Sequence, residues 1–186
     1  MRVIAGKFRS RNLQSLPGNE TRPTYDRLKE TLFNVLQSAG VTEGASFLDL
    51  FAGTGAVGIE ALSRGARRVV FVESNRKAVN LIRTNLTALA VGDEAEVIGE
   101  EVASALPQLM KTGEGFDIVF IDPPYALQGE YERALRLLGG SSLLKAGALV
   151  IAEHDKRFDP GDGQAPLKRF RRLEQGDSSL SFYRAC

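Results

Sequence analysis

The sequence is poor in the residues that build covalent or metal cross-links. It contains one cysteine, at the last position, one histidine and no tryptophan. A disulfide framework needs paired cysteines, and structural zinc sites usually draw their ligands from cysteine and histidine. We therefore expect no internal disulfide and no metal site, and we expect the protein to work in a reducing compartment.

Long apolar segments and a strong net charge are also missing. No run approaches the roughly 18 apolar residues of a membrane-spanning helix, and the opening MRVIAGKFRSR lacks the apolar centre of a signal peptide. The formal net charge is only +1, so any contact with nucleic acid must depend on local clusters. With 43% hydrophobic residues among 186, the chain can form one domain with a small extension. We expect a soluble, cytoplasmic protein with no membrane partner.

The segment FLDLFAGTGAVGI, residues 47–59, carries the most specific local signal. An apolar strand containing Asp49 leads into Gly53-Thr54-Gly55 and then into a helical pattern. Glycines in such a turn let the backbone approach a ligand, and the helix start offers unpaired N–H groups. Glu73 follows about twenty residues later at a strand end, the spacing at which a carboxylate meets a ribose. The pattern fits a dinucleotide, the nucleoside half of S-adenosylmethionine, or a glycine turn used only for packing. Asp49 would repel a pyrophosphate and favours a cationic ligand with a free amino group.

From residue 45 onward the hydrophobic pattern alternates between strands and helices. Continuously apolar runs such as 69–72 and 118–121 are typical of parallel strands covered on both faces. Such alternation predicts a parallel sheet whose ligands bind beyond the carboxyl ends of the strands. The predicted strands are 46–50, 68–73, 95–98, 116–121 and 147–153, and the predicted helices are 24–39, 56–64, 75–89, 101–111 and 129–138. Two further strands, 167–174 and 179–184, are predicted to form a closing hairpin.

Two segments concentrate positive charge. The first 29 residues hold seven basic and two acidic side chains, and two short strands at 3–4 and 12–13 are predicted there. The second cluster lies on the penultimate predicted strand and comprises Lys168, Arg169, Arg171 and Arg172. Both could contact phosphates, but the first could be a solvated face and the second an edge strand protected by charge.

A second chemical motif follows the fourth strand, which runs directly into Asp122-Pro123-Pro124-Tyr125. Two prolines remove two N–H groups, so the segment presents only hydrogen-bond acceptors at its start. An exocyclic amine donates two hydrogens and fits such a pocket, while Tyr125 can stack on the face of a base. The alternative is a strand stopped by prolines beside a buried tyrosine. Together with Asp49, the segment argues against a dinucleotide-dependent oxidoreductase.

At this point the motifs resemble a known family. DLFAGTG, FVES and DPPY resemble the motifs of Rossmann-like amino-methyltransferases that use S-adenosylmethionine. RVIAGKFRSRNL, RPTYDRLKETLFNVL and GDSSLSFYR extend the likeness from residue 2 to about residue 184, and they are similar to the small bacterial 16S rRNA guanine-N2 methyltransferases. DPPY alone is shared with DNA adenine and cytosine amino-methylases.

The resemblance implies an α/β fold of the Rossmann-like class I methyltransferase type. Its sheet would be mostly parallel and seven-stranded, with an antiparallel hairpin at the carboxyl terminus and a small β-hairpin plus helix at the amino terminus. Residues 1–40 would form this basic extension, and residues 41–186 would form the S-adenosylmethionine-dependent methyltransferase domain.

The resemblance also implies roles for individual residues. The implied cofactor contacts are Asp49, Phe51, Ala52, Gly53 and Gly55 at the methionine part, Glu73 at the ribose, and Ser74 and Glu100 at the adenine. The family usually has Gly-Asp where this chain has Gly99-Glu100. The residues implied to hold the target guanine are Asp122, Pro123 and Tyr125, and those implied along the RNA substrate are Arg22, Thr24, Lys7 and Arg9.

The implied reaction is methyl transfer from S-adenosylmethionine to the N2 amine of a flipped guanine. The implied substrate is 16S rRNA or the 30S ribosomal particle, and the implied enzyme is a monomer without a metal. Three alternatives remain: a DNA amino-methyltransferase, a dinucleotide-dependent oxidoreductase, and a cofactor-binding ribosome assembly factor without catalysis. A DNA enzyme usually carries a recognition region for which 186 residues leave little room.

His154, in AEHD after the fifth strand, is expected to be structural because nothing near it in sequence suggests a triad.

Overall fold

The computed structural model describes residues 1–15, 23–163 and 165–185. Within these ranges, five helices and seven strands follow one another, and every predicted helix and every strand of the sheet is present within three residues of its predicted bounds. The helices are α1 (Pro23–Ser38), α2 (Ala56–Ser63), α3 (Arg76–Ala88), α4 (Val102–Thr112) and α5 (Gly129–Gly139). The strands are β1 (Ser46–Leu50), β2 (Arg68–Val72), β3 (Ala95–Ile98), β4 (Phe116–Ile121), β5 (Leu144–Asp155), β6 (Leu167–Gln175) and β7 (Ser178–Ala185).

The seven strands form one sheet in the order β3-β2-β1-β4-β5-β7-β6. The first five strands of that order are parallel, whereas β7 pairs antiparallel with both β5 and β6. The predicted fold class is confirmed, including the closing hairpin. Strand order reverses between β1 and β4, which opens a crevice at the edge where the parallel strands end, here called the carboxyl edge.

Each face of the sheet is covered by helices, because side chains alternate along every strand. Phe47, Phe71 and Phe120 point to one face, here called the first face, and pack with apolar residues of α1, α2 and α3. Leu48 and Val119 point to the second face and pack with α4 and α5. This alternation decides which strand-end side chains can meet at the carboxyl edge.

The amino-terminal arm, residues 1–15, corrects one expectation. The chain reverses as predicted, but the two short strands are reduced to a single antiparallel bridge between Arg2 and Asn12. The N–H groups of Ile4 and Ala5 instead donate to the buried carboxylate of Glu60 in α2, at 2.8 and 3.0 Å. A helix side chain therefore accepts the backbone hydrogen bonds that a longer hairpin would have formed within the arm.

The arm and α1 share the hydrophobic core of the sheet. Val3 and Leu13 of the arm are buried, and so are Leu32 and Phe33 of α1, whose ring stacks on Phe47 of β1 with centroids 6.5 Å apart. The first 40 residues thus contribute to the same core that covers the first face. No helix in the described ranges combines the length and apolarity needed to cross a membrane.

Candidate active site

A cavity of about 490 Å³ opens at the carboxyl edge of the sheet. Its walls come from the glycine turn after β1, the ends of β2, β4 and β5, the start of α4 and the loop before α5. Eight of the predicted site residues line it, namely Phe51, Gly53, Glu73, Ser74, Glu100, Asp122, Pro123 and Tyr125. The fold thus brings together the two motifs that lie about seventy residues apart in the chain.

The glycine turn combines a tight backbone with close packing. Phe51, Gly53 and Gly55 all have positive φ, at 59°, 56° and 76°. For a bulky residue such as Phe51 this conformation is strained, and strain of this kind clusters at ligand sites. A Cβ on Gly58 would lie 2.2 Å from the ring of Phe71, so the missing side chain at this position lets α2 pack on β2. The glycines therefore allow both the tight turn and the close packing of the helix on the sheet.

Asp49 faces the start of α2 and does not line the cavity. Its Oδ2 accepts the N–H of Gly58 at 2.9 Å, and the side chain is buried. The N-cap residue of α2 is Gly55, which has no side chain to cap the helix, so the strand carboxylate satisfies one of the free N–H groups. Burial raises the pKa of Asp49 well above its usual value, although the hydrogen bond from Gly58 acts in the opposite direction. Its contact with a ligand stays a prediction, as do those of Ala52 and Gly55.

Glu73 ties the glycine turn to the start of α3. Its Oε2 accepts the N–H of Gly53 at 2.8 Å, and its Oε1 accepts the N–H of Asn75 at 2.7 Å. Each carboxylate oxygen has a second lone pair, so Glu73 can still accept from hydroxyl groups in the cavity. Glu100 lines the same cavity before the start of α4, and the Gln108 amide donates to its Oε2 at 2.6 Å.

Asp122 has a carboxyl neighbour that the sequence analysis missed. Ile121 of β4 pairs with Ala152 of β5, so the next residues, Asp122 and Glu153, stand side by side on the first face. Both line the cavity, and Glu153 is only 5% exposed. Burial raises the pKa of Asp122 to about 7. Burial, followed by the negative charge of Asp122, raises the pKa of Glu153 well above its usual value.

A signal for Glu153 was present in the sequence, since an acid closes the apolar run of the fifth strand in AEHD. The neighbouring His154, singled out in the sequence, is fully buried on the other side of the strand. Its ring nitrogens lie 2.9 Å from the carbonyl oxygen of Asp155 and 2.9 Å from the hydroxyl of Ser181. The expectation that His154 is structural agrees with these contacts.

Tyr125 stands at the mouth of the cavity with half of its surface exposed. Its hydroxyl lies 3.1 Å from that of Ser178, at the start of β7. The loop itself is closed by a hydrogen bond from the N–H of Leu127 to the carbonyl of Pro124, at 2.7 Å. The ring is thus anchored at its hydroxyl end and leaves a face free for stacking.

The charge of the cavity lining has one sign. Six acids line it, and its described lining residues include no lysine, arginine or histidine. These acids are Glu73, Glu100, Glu101, Asp122, Glu130 and Glu153. Such a lining attracts a cationic ligand and repels phosphate groups.

The structure places two of the predicted RNA-facing residues, Lys7 and Arg9, away from this cavity. Lys7 lies near the opposite edge of the sheet, where its N–H donates to the carbonyl of Ser63, the last residue of α2, and its ammonium is 3.6 Å from Glu94. The physical reason is that the turn of the arm docks on the far end of α2. Arg9 lines a separate surface groove beside the first turns of α1. Arg22 lies outside the described residues, and only the helical backbone of Thr24 is described.

The second basic cluster divides into paired and exposed side chains. Arg169 forms ion pairs with Asp159 and Asp162 at the surface, and Arg172 is 3.3 Å from Glu174. The Lys168 and Arg171 side chains are exposed on β6, the last strand of the sheet. This arrangement fits a charged edge strand and leaves two cations facing outward.

Comparison with known proteins places the chain among rRNA methyltransferase relatives. The family described as Conserved hypothetical protein 95 matches residues 1–184. A Bacillus subtilis protein, YlbH, whose name provisionally describes an rRNA methyltransferase, is 35% identical over 184 residues, or 99% of this chain and 98% of that protein. The Ribosomal RNA small subunit methyltransferase D of Haemophilus influenzae is 41% identical over 157 residues, or 84% of this chain and 79% of that protein.

A solved structure agrees with these relatives. The Escherichia coli protein yhhF, provisionally described as a methyltransferase, superimposes with a TM-score of 0.86 and 35% identity, over 100% of this chain and 97% of that chain. The methyltransferase fold predicted from the motifs is confirmed, and so is the resemblance to the small rRNA methyltransferases. The chain belongs to the family described as Conserved hypothetical protein 95 and is related over most of its length to Ribosomal RNA small subunit methyltransferase D.

Proposed function

We propose that this protein transfers a methyl group from S-adenosylmethionine to the exocyclic N2 amine of a guanine in 16S rRNA. The observation that carries the proposal is the acidic cavity, in which the glycine turn and the Asp122-Pro123-Pro124-Tyr125 segment face each other. The small-subunit rRNA is inferred from the name of the Haemophilus influenzae relative. We further propose that the protein acts in the cytoplasm as a monomer.

The half of the cavity next to β1 and β2 fits S-adenosylmethionine. This donor carries positive charge at its sulfonium and amino groups, which suits a lining of six acids, whereas the pyrophosphate of a dinucleotide would be repelled. We assign Phe51 and Gly53 to the methionine part, Glu73 to the ribose hydroxyls, and Ser74 and Glu100 to the adenine. When bound, the donor supplies an electrophilic methyl group.

The half of the cavity next to β4 and β5 holds the target base. Asp122 and the carbonyl of Pro123 accept the two N2 hydrogens, and Tyr125 stacks on the ring after the base has left its helix or loop. The amine loses a proton easily once it carries the methyl group, so a strong base is unnecessary. Positioning of the amine by this acceptor set supplies most of the rate enhancement.

The central test is Asp122→Ala. We expect methyl transfer to fall by at least about 100-fold, as when one preorganised polar group is removed from an active site, while S-adenosylhomocysteine binding by calorimetry is retained. Transfer is measured as tritium incorporated into 30S particles from cells that lack the modification. Glu132→Gln is the control, because Glu132 lies on the exposed surface of α5, where it pairs with Arg136. Unchanged transfer by the Asp122 variant would remove this residue from the proposed site.

The competing functions are separated by offering three substrates in parallel. Transfer to 30S particles or to naked 16S rRNA is expected, with mass spectrometry locating the methyl group on guanine N2. Transfer to duplex DNA instead would favour a DNA amino-methyltransferase. Binding of S-adenosylhomocysteine without transfer to any substrate would favour an assembly factor.

A further inference from the structure

We infer that Glu153 is a second acceptor for the target base and that it selects guanine by accepting the N1–H next to the N2 amine. The inference rests on the proposed function, because it concerns the base-binding half of the same cavity. It adds a residue at the end of β5 that determines which base is methylated.

The position of Glu153 is fixed by two strands and one buried tyrosine. The β4–β5 register places its backbone beside Asp122, at the separation of about 4.8 Å that neighbouring strands have. The Tyr131 hydroxyl donates to the Glu153 carbonyl oxygen at 2.7 Å. On its other side, β5 pairs Glu153 with Leu180 of β7. Its side chain therefore starts from a rigid point and ends in the cavity next to the carboxyl group of Asp122.

The Glu153 carboxyl group is buried without a cationic partner. No lysine or arginine is present among the described residues that line the cavity, and the neighbouring Asp122 is itself an acid. The raised pKa of Glu153, caused first by burial, reflects this lack of compensation, and only the Ser178 hydroxyl offsets it. Since a buried carboxylate is stable only when donors satisfy it, the group is suited to an N–H donor that arrives with a ligand.

The strand order indicates that this N–H group belongs to the substrate base and not to S-adenosylmethionine. The glycine turn and Glu73 lie at the ends of β1 and β2, whereas Glu153 lies at the end of β5, beyond β4. Asp122 stands between these two halves. The amine of the base must point toward S-adenosylmethionine, so the base itself must lie on the other side of Asp122. Glu153 is on that side.

Two neighbouring carboxylates match guanine and mismatch the other amino bases. Guanine presents two donors side by side, N1–H and N2–H₂. Adenine presents its amine beside the acceptor N1, and cytosine presents its amine beside the acceptor N3. The N1–H of guanine stabilises the ionised form of Glu153, whereas either of the other bases would place a lone pair against that carboxylate. A site built for a hydrogen bond rejects analogues that cannot form it.

The test compares guanine with 2-aminopurine, which keeps the N2 amine but has an acceptor at N1. The guanine methylated by the native enzyme is first mapped, and 30S particles are then reconstituted with either base at that position. We expect native enzyme to prefer guanine by at least about 100-fold. Glu153→Gln can donate its amide N–H to an acceptor at N1, so we expect its preference to move toward 2-aminopurine by at least about tenfold.

The outcomes separate this inference from the proposed function. Failure of the native enzyme to methylate any guanine at N2 refutes the proposed function itself. Native activity with equal rates on the two bases, or an unchanged preference in Glu153→Gln, overturns only the role of Glu153. Equal native rates on the two bases overturn the role of Glu153 even if the variant does not fold, and Glu132→Gln should keep the native preference.

Discussion

The carboxyl groups in and beside the cavity have different surroundings and therefore different tasks. Asp49 is satisfied by the backbone N–H of Gly58, and Glu73 by those of Gly53 and Asn75. Asp122 and Glu153 have no such backbone partners among their hydrogen bonds, and burial raises the pKa of both. The first two hold the turn in place, and the second two are available to a substrate.

The raised pKa of Asp122 predicts a pH dependence of the reaction. The ionised carboxylate accepts an amine hydrogen more strongly than the protonated acid does, so kcat/KM should rise with pH and level off above the pKa of about 7. The titratable groups that interact with it are Asp49, Glu153, Tyr125 and Tyr131, and none of them carries a positive charge that would support its ionisation. Initial rates on 30S particles between pH 5.5 and 8.5 measure the profile. A flat profile across this range would contradict the prediction, and Asp122→Asn should abolish the rise in whatever activity remains.

Local sequence reasoning placed Asp122, Pro123 and Tyr125 at the cavity because one contiguous motif carries them at a strand end. Glu153 was missed because its importance comes from the pairing of β4 with β5, which no local pattern states. The contact of Asp49 with the N–H of Gly58 likewise depends on how α2 packs against the first face of the sheet.

Among the elements, α2 contributes to the glycine turn, to the packing on the sheet and to the anchoring of the amino-terminal arm. Its start follows the glycine turn, its body packs on β2, and its buried Glu60 anchors both the arm and α1. That carboxylate accepts from the N–H groups of Ile4 and Ala5, lies 2.8 Å from Arg64 Nε and lies 3.6 Å from Lys29 Nζ. Burial lowers the pKa of Lys29, and the negative charge of Glu60 counteracts this effect. The helix therefore connects the amino-terminal segment to the site.

We predict that Glu60→Gln destabilises the protein strongly. The variant leaves the buried Lys29 without its charged partner and turns amide hydrogens toward N–H donors, so the free energy of unfolding should fall by about 3–5 kcal/mol. Urea denaturation followed by circular dichroism measures the change. Glu132→Gln removes only an exposed pair with Arg136 and should change the free energy by less than about 0.5 kcal/mol. Equal effects of the two substitutions would show that Glu60 does not anchor the arm.

At the scale of the whole molecule, the sheet brings motifs that are distant in sequence together in one site. The reversal between β1 and β4 opens the crevice, and the insertion of β7 between β5 and β6 brings Ser178 to the hydroxyl of Tyr125. Charge is distributed in the same global manner, since acids line the cavity while Lys168 and Arg171 face outward from the edge strand. A cationic donor inside and a phosphate backbone outside are both compatible with this separation.

The acidic cavity predicts selective stabilisation by the product of the donor. S-adenosylhomocysteine at 100 times its dissociation constant should add about 2.7 kcal/mol to the free energy of unfolding. For a chain of this size the melting temperature should then rise by about 5–10 °C. NAD at the same concentration should leave the melting temperature unchanged, because its phosphates meet only acids. A shift with NAD and none with S-adenosylhomocysteine would revive the dinucleotide alternative.

The sequence by itself determined the elements, the fold class and the family, because hydrophobic periodicity, glycine turns and contiguous motifs are local features. It also located most of the residues that line the cavity, since these stand at strand ends or in turns. Tertiary structure alone decided which side chains meet there. The register of β4 against β5 places Asp122 beside Glu153. The docking of the arm on α2 places Lys7 near the edge of the sheet opposite the carboxyl edge. Both depend on contacts between residues remote in sequence, which are set by how whole elements pack and not by the pattern within any one of them.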